Sequence, residues 1–253
     1  MLIRIGRFSI ITICLLLIWQ TVIWITDVPK YILPDPASVG MALIERYEML
    51  AHHALTTLSE IIAGLFLGTL FGVISALTMV YFRPLRDWLL PVLVISQAIP
   101  VFALAPILVL WLGYGMASKI AMATLIIYFP VTATFLDGLR RTEPGWVDLA
   151  QTMSASRWAM LVHVRIPSAL PSAASGLRVA TAVAPIGAIV GEWVGSSSGL
   201  GYLMLHANAR MQIDVMFAAL FILAVIAVAL YYAVDAGLKR LLFWSSETTT
   251  TEL

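Results

Sequence analysis

Charged side chains are scarce in this sequence: 11% of 253 residues, beside 61% that are hydrophobic. A soluble domain carries about 25%. So few charges cannot cover a water-facing surface, which leaves lipid as the solvent for most of the chain. The formal net charge of +1 excludes the basic field on which nucleic-acid binding depends. Cysteine is nearly missing. Cys14 stands alone in an apolar run, which excludes an intrachain disulfide and a cysteine zinc cluster; it reads as a small apolar side chain. No Gly-x4-Gly-Lys-Ser/Thr sequence occurs, so ATP is not bound by that route. His52 and His53 would point apart on a helix, and they read as a solvated loop pair rather than metal ligands. No catalytic residue, metal site or bound cofactor is assigned to the chain itself.

Long apolar runs take the place of these features. Crossing about 30 Å of hydrocarbon at about 1.5 Å per residue takes about 20 residues. Runs at 8–25, 61–82, about 89–112, 120–136, 176–195 and 215–234 are the candidates, with an outer turn at Gly113-Tyr114-Gly115. The expected fold is an all-α polytopic membrane protein with six transmembrane helices. Residues 1–55 are read as an N-terminal span with an outer segment, 56–240 as the core, and 241–253 as a disordered C-terminal tail. Arg4 and Arg7 before the first run resemble a signal peptide. That run is too long for one and no small-x-small cleavage site follows, so it is read as an uncleaved helix.

Lys and Arg gather on the cytoplasmic side of membrane proteins. With the N-terminus inside and the runs alternating, only Lys30, Arg46, Lys119 and Arg210 of the 15 basic residues fall outside. Both termini are therefore expected in the cytoplasm.

One inner segment, 137–174, is long and patterned. Pro144 suits the first turn of a helix, where its missing N–H costs nothing, and Thr142 is the expected N-cap. Trp146, Leu149, Ala150 and Met153 then share one apolar helix face. Ser154-Ala155-Ser156 interrupts it. Ser156 is expected to cap a second short helix through Val164, and Pro167 and Pro171 to close the segment before the fifth span. Exposed Trp146, Trp158 and Leu161 in such a loop suit either a partner protein or an amphipathic hairpin on the bilayer surface.

The same segment carries a family resemblance. Binding-protein-dependent ABC permeases have a cytoplasmic signature E-A-A-x3-G-x9-I-x-L-P. This chain reads Asp148-Leu149-Ala150-x3-Ser154-x9-Val164-Arg165-Ile166-Pro167, matching in spacing throughout. The glycine of that signature leaves its helix at positive φ, where Ser154 costs about 1 kcal/mol. Leu33-Pro34-Asp35-Pro36, the stretch from Ile99 to Pro106 and Gly191-Glu192-Trp193 through Tyr202 resemble the nitrate, sulfonate and taurine branch. The resemblance spans about residues 31–240. It looks closest to permeases for a thiamine pyrimidine precursor, hydroxymethylpyrimidine, with aliphatic sulfonate, taurine or nitrate as the alternative.

The resemblance implies a type I ABC importer permease fold in the bacterial inner membrane. It also implies a second permease copy in a homodimer, a solute-binding protein, and ABC ATPase subunits that use ATP and Mg in trans. Asp148, Ala150, Ser154, Ala155, Ser156 and Arg157 would contact the ATPase, with Trp158 and Leu161 as anchors.

Within the spans, Gly64, Gly68 and Gly72 recur on one face, where small residues let helices approach closely in lipid. Pro91, Pro100 and Pro106, and Pro185 in the fifth span, remove backbone hydrogen bonds and mark either hinges along the pathway or plain packing kinks. Gln97, Pro100, Tyr128, Pro185, Glu192 and Trp193 are the candidate pathway residues. Glu60 and Glu192 are read as reaching interfacial water from helix ends, although an intramembrane carboxylate is a functional candidate by default.

Two rival classes remain. A proton-coupled secondary transporter would carry ionisable relays near the midplane, and the central thirds of the spans hold none. The second rival is an intramembrane serine protease. Gly195-Ser196-Ser197-Ser198-Gly199 matches the Gly-x-Ser-x-Gly of serine hydrolases, yet no histidine falls inside a span to serve as base. No labelling by an active-site serine probe is expected; labelling that Ser197→Ala abolishes would reinstate the protease.

Overall fold

The computed structural model describes residues 2–244, and side chains from Ile13 onward. Of the tail expected at 241–253, Leu241 ends a helix, while residues 245–253, like the side chains of Arg4 and Arg7, lie outside the described residues. In chain order the helices are α1 (Leu2–Thr26), α2 (Pro36–Glu45), α3 (Tyr47–Tyr81), α4 (Arg83–Ser96), α5 (Val101–Leu112) and α6 (Met116–Arg140). They continue with α7 (Pro144–Thr152), α8 (Arg157–Met160), a π-helical segment (Leu161–Arg165), α9 (Ile166–Gly195), α10 (Leu200–Ala209) and α11 (Ile213–Leu241). Among the described residues there is no strand.

Four stretches are long and apolar enough to cross a membrane: α3, α6, the continuous Arg157–Gly195 helix and α11. The pair α4 and α5 passes the same test only together, bent by 103°. The described apolar part of α1, Ile13–Thr26, is too short to pass the test, so four or five of the six expected spans are found among the described residues. The third span thus departs from the unbroken helix expected over 89–112. It breaks at residues 97–100, where Pro100 cannot donate to the α4 ladder.

The bundle is organised by close backbone approach. A Cβ added to Gly64 would fall on that of Ala123; on Gly68 it would stand 2.6 Å from Ile127 Cγ2, and on Gly72 2.9 Å from Val131 Cγ1. Numbers rise together on both helices, so α3 and α6 run parallel. On the other side of α6, Gly187 of α9 abuts Ala123 and Gly176 abuts Thr134, so α9 runs antiparallel. α6 is therefore the centre of a three-helix core. Parallel neighbours need a return traverse between them, and the bent α4–α5 pair supplies it. Leu93 of α4 packs with Met79 and Leu139 at one end, while Ala105 and Val109 of α5 pack near Met122, Val190 and Gly195 at the other.

Several boundaries differ from the sequence reading. α3 begins at Tyr47 rather than 61, so about 20 Å of helix projects past the Glu60 level. There Leu50 packs with Val39 and Ala42 of α2, Leu203 of α10 and Ala218 of α11. Asp35 caps α2 by accepting the Ser38 N–H at 3.1 Å. Its carboxyl is held below the usual carboxylate range by the Ser38 hydroxyl first, and also by Lys30. This cap is complete at neutral pH and is lost as pH falls through that lowered value.

Pro167 and Pro171 do not close the inner segment. Pro167 sits in the first turn of α9 and Pro171 inside it. The π segment directly upstream, where the Ile166 N–H bonds Leu161 O, adapts the ladder to the missing donors. Since α6 also runs on to Arg140, the loop outside the long helices is 141–156 rather than 137–174.

The glycine stripe yields a direct test. Gly68→Val is expected to lower stability by about 1–3 kcal/mol through forced separation of α3 and α6. Gly40→Ala, where a Cβ meets nothing within 4 Å, is expected to be near neutral. Thermal unfolding of the two variants in one detergent checks the difference.

Candidate functional site

The 141–156 loop is built from a helix that ends abruptly. α7 starts on Pro144 with Glu143 as N-cap; Thr142, the expected cap, instead donates its hydroxyl to Leu139 O at 3.2 Å and belongs to the end of α6. At the far end Ser154 adopts φ 57°. The Ala155 N–H bonds Ala150 O at 2.9 Å across it, the six-to-one bond of a left-handed helix stop. This is the turn for which the family signature uses glycine. Ser156 then caps α8, its hydroxyl accepting the Ala159 N–H at 3.2 Å.

This geometry sorts the candidate contact residues. Trp146, Leu149 and Met153 are exposed on α7, and Trp158 is exposed with its ring edge-on to Tyr81. Asp148, Ser154, Ser156 and Arg157 are exposed, and Ala155 is half-buried. Ala150 and Leu161 are not surface residues. Ala150 is buried under α7, and Leu161 packs with Ala76, Met79 and Leu136 in the core. Leu161 therefore anchors the loop to its own bundle rather than gripping a partner, as its sequence context suggests.

Among the candidate pathway residues, Gln97 and Pro100 come together at the break in the third span, both exposed. Trp193 is also exposed. Tyr128 and Pro185 are not on that face. The Tyr128 hydroxyl donates to Ser75 Oγ at 2.8 Å between α6 and α3, and Pro185 is buried inside the bundle.

Glu192 departs furthest from expectation. Instead of reaching interfacial water, it is 1% exposed, with Glu60 at 0% and Lys119 at 2%. Glu60 Oε1 lies 3.8 Å from the Lys119 ammonium, which also donates to Tyr114 O at 3.5 Å. The Glu192 carboxyl lies beside that of Glu60. It accepts the Thr57 hydroxyl at 2.6 Å and the N–H groups of Gly201 and Tyr202. Glu192 thus caps the N-terminus of α10 from another helix, where negative charge is favoured. Thr57 closes the ring by accepting the Leu200 N–H at 2.7 Å. Gly199 admits no side chain: its φ is 111°, and a Cβ would land on the Glu192 carboxyl.

The expected solvated pair His52 and His53 lies on α3. His53 Nδ1 accepts the Gly199 N–H at 3.0 Å. Among the described residues no serine hydroxyl bonds a histidine ring; in the Gly-x-Ser-x-Gly stretch Ser196 Oγ accepts the Ser198 N–H. No group of three metal-ligating side chains occurs among the described residues. Sequence reading misses Thr57 and the role of Lys119. Their one available signal is spacing, because Glu192 stands seven and nine residues before Gly199 and Gly201.

Residues 68–242 match the family described as binding-protein-dependent transport system inner membrane component. The chain is similar to a probable ABC transporter permease protein of Haemophilus influenzae, at 58% identity over 97% of this chain and all of that one. It is 37% identical to the formylaminopyrimidine transport permease protein ThiX of Halalkalibacterium halodurans, covering 91% and 92%. It is 38% identical to the riboflavin transport system permease protein RibX of Chloroflexus aurantiacus, covering 92% and 87%. In fold it resembles a chain of the inward-facing MetNI methionine ABC transporter, with TM-score 0.66 and 19% identity over 78% of this chain and 98% of that one.

The buried cluster generates a stability test. Lys119→Met leaves Glu60 buried without its cation and is expected to cost about 3–5 kcal/mol. Adding Glu60→Met is expected to recover part of that loss, giving a coupling of about 1 kcal/mol or more in a double-mutant cycle read by unfolding. Additive losses would show that the two groups do not interact.

Proposed function

Since the chain belongs to the family of binding-protein-dependent transport system inner membrane components, it is the permease subunit of an ABC importer, and we propose that α7 and the turn after it couple it to the ATPase. The loop itself carries this reading. It is rigidly stopped at Ser154, pinned to the bundle by Leu161, and yet displays Trp146, Leu149 and Met153 with nothing of its own chain to cover them. An apolar face on an ordered segment outside the spans is a docking surface. Asp148, Ser154, Ser156 and Arg157 supply the polar rim. ATP and Mg are used by the partner, the loop lies in the cytoplasm with both termini, and the solute arrives from a binding protein on the opposite side.

The pathway in this reading runs along the broken span. Backbone freed by a break in lipid is tolerated where protein or a watery cavity satisfies it. The break at Gln97 and Pro100 is exposed in the single chain, beside exposed Trp88, Ile95 and Phe102. A second copy facing this side would enclose both the apolar surface and the gap, so the working unit is a homodimer. Glu192 and Tyr128 hold the scaffold and do not line the pathway.

The solute is a neutral nitrogen heterocycle of the pyrimidine type. Support comes from the relatives named for a formylaminopyrimidine and for riboflavin. The uncharged sequence of the break, residues 95–106, also suits a neutral solute better than a sulfonate. Taurine and aliphatic sulfonates are the second reading, since a taurine permease of Escherichia coli is 30% identical over 92% of the chain.

Reconstitution with the ATPase and the binding protein in proteoliposomes tests both parts. A pyrimidine ligand is expected to raise ATP hydrolysis where taurine does not. Leu149→Asp is expected to insert normally and to reduce the ligand-stimulated rate roughly tenfold. Ala150→Asp is a poorer probe because it buries a carboxylate in the fold. Unchanged stimulation in Leu149→Asp would remove α7 from the contact.

A further inference from the structure

The end of α3 and the 141–156 loop enclose a cavity of about 740 Å³ whose charged lining is entirely basic. Arg83, Arg157 and Arg165 line it together with Tyr81, Phe82 and Gln151, and no Asp or Glu does. Three other arginines toward this end of the bundle are neutralised within the chain: Arg86 by Asp87 at 3.0 Å, Arg141 by Asp137 at 3.0 Å, Arg178 by Asp235 at 2.7 Å. The three cavity arginines have no such carboxylate among the described residues, and Arg165 Nε is buried without a hydrogen-bond partner. Arg165 ends the π segment, a helix irregularity frequent at functional sites. Three guanidiniums converging on one cavity repel one another unless an anion lies between them.

The cavity lies at the edge of the hydrocarbon. The apolar run of α3 ends on Tyr81 and Phe82, and Arg83 follows at once. Tyr81 meets Trp158 edge-on, with ring centroids 6.2 Å apart, in the aromatic belt typical of a headgroup layer. Guanidinium forks match phosphate oxygens in pairs. We propose that this cavity binds a phosphate group through Arg83, Arg157 and Arg165, with the headgroup of an anionic phospholipid as the source its position favours. Basic pockets between membrane helices at this depth recognise such headgroups. Lipid bound there would buttress the loop from behind, since Gln151 and Ala155 of the loop share the cavity wall. The proposal rests on the membrane placement of the chain and shares Arg157 with the proposed ATPase contact, so lipid retention and ATPase binding are read separately.

Native mass spectrometry of the full-length protein, released from detergent after incubation with phosphatidylglycerol or phosphatidylcholine of the same acyl chains, tests it. Phosphatidylglycerol is expected to be retained preferentially. The Arg83→Gln, Arg157→Gln, Arg165→Gln triple variant is expected to lose roughly a hundredfold of that retention, at about fivefold per charge. The corresponding triple lysine variant is expected to keep much of it, which separates phosphate binding from loss of fold. Arg140→Gln with Arg141→Gln, at the same end outside the cavity, is expected to change nothing. If inorganic phosphate instead raises the wild-type melting temperature and only the triple glutamine variant abolishes that, the site stands with free phosphate as its occupant. Equal lipid loss in the control pair, or lipid retention by the triple variant without a phosphate effect, overturns the proposal. So does a triple variant that keeps its lipid and releases the ATPase, which would assign the arginines to carboxylates of a partner.

Discussion

Three helix backbones converge on Ala123, and the rest of the bundle takes its register from that point. Lipid offers helices no hydrophobic gain from pairing, so close van der Waals contact must hold them together. Gly64 from α3 and Gly187 from α9 both approach Ala123 closely, where any added Cβ would collide. Four residues before Gly64 stands Glu60, four before Ala123 stands Lys119, and five after Gly187 stands Glu192. One helical turn from a shared contact brings all three ionic groups to one level. The buried cluster is thus a geometric consequence of the glycine register.

That cluster holds one end of the molecule together. Glu192 takes up two N–H groups that would otherwise be unpaired at the start of α10, and Thr57 takes a third. Unmet backbone donors in a buried place cost about 1–3 kcal/mol each, so the turn at 196–199 is held wherever α9 and α3 go. At the opposite end the arrangement is reversed. Leu161 is buried and fixes the loop, while α7 turns its large apolar side chains outward. A rigid bundle thus joins an end with a buried polar cluster to an end that displays apolar side chains.

Much of this is legible from residues alone, and some is not. Lipid solvation, the apolar runs, the α7 face and the Ser156 cap follow from composition or from spacing within one helix, whereas the strained position at Ser154 follows from the family resemblance. Helix ends are less legible. Pro167 and Pro171 read as terminators, yet in a membrane helix a π segment absorbs the missing donors and the ladder runs on. The start of α3 at Tyr47 is hidden because its first turns are polar, and what holds them is the packing of Leu50 against α2, α10 and α11.

The least legible features are those made by two distant segments. Thr57 and Glu192 are 135 residues apart, and Tyr128 and Ser75 are 53 apart. In sequence, Glu192 and Glu60 are charges at helix ends, for which water is the default partner; Tyr128 is a polar aromatic that would suit a pathway equally well. The sequence by itself determined the class of solvent and the existence of a patterned loop, because those depend on composition and on local period, and its motif spacing carried the family resemblance. Only the tertiary structure decided which polar groups face solute, partner or one another. Side-chain direction around a helix is local, but what stands opposite is set by the packing of the others.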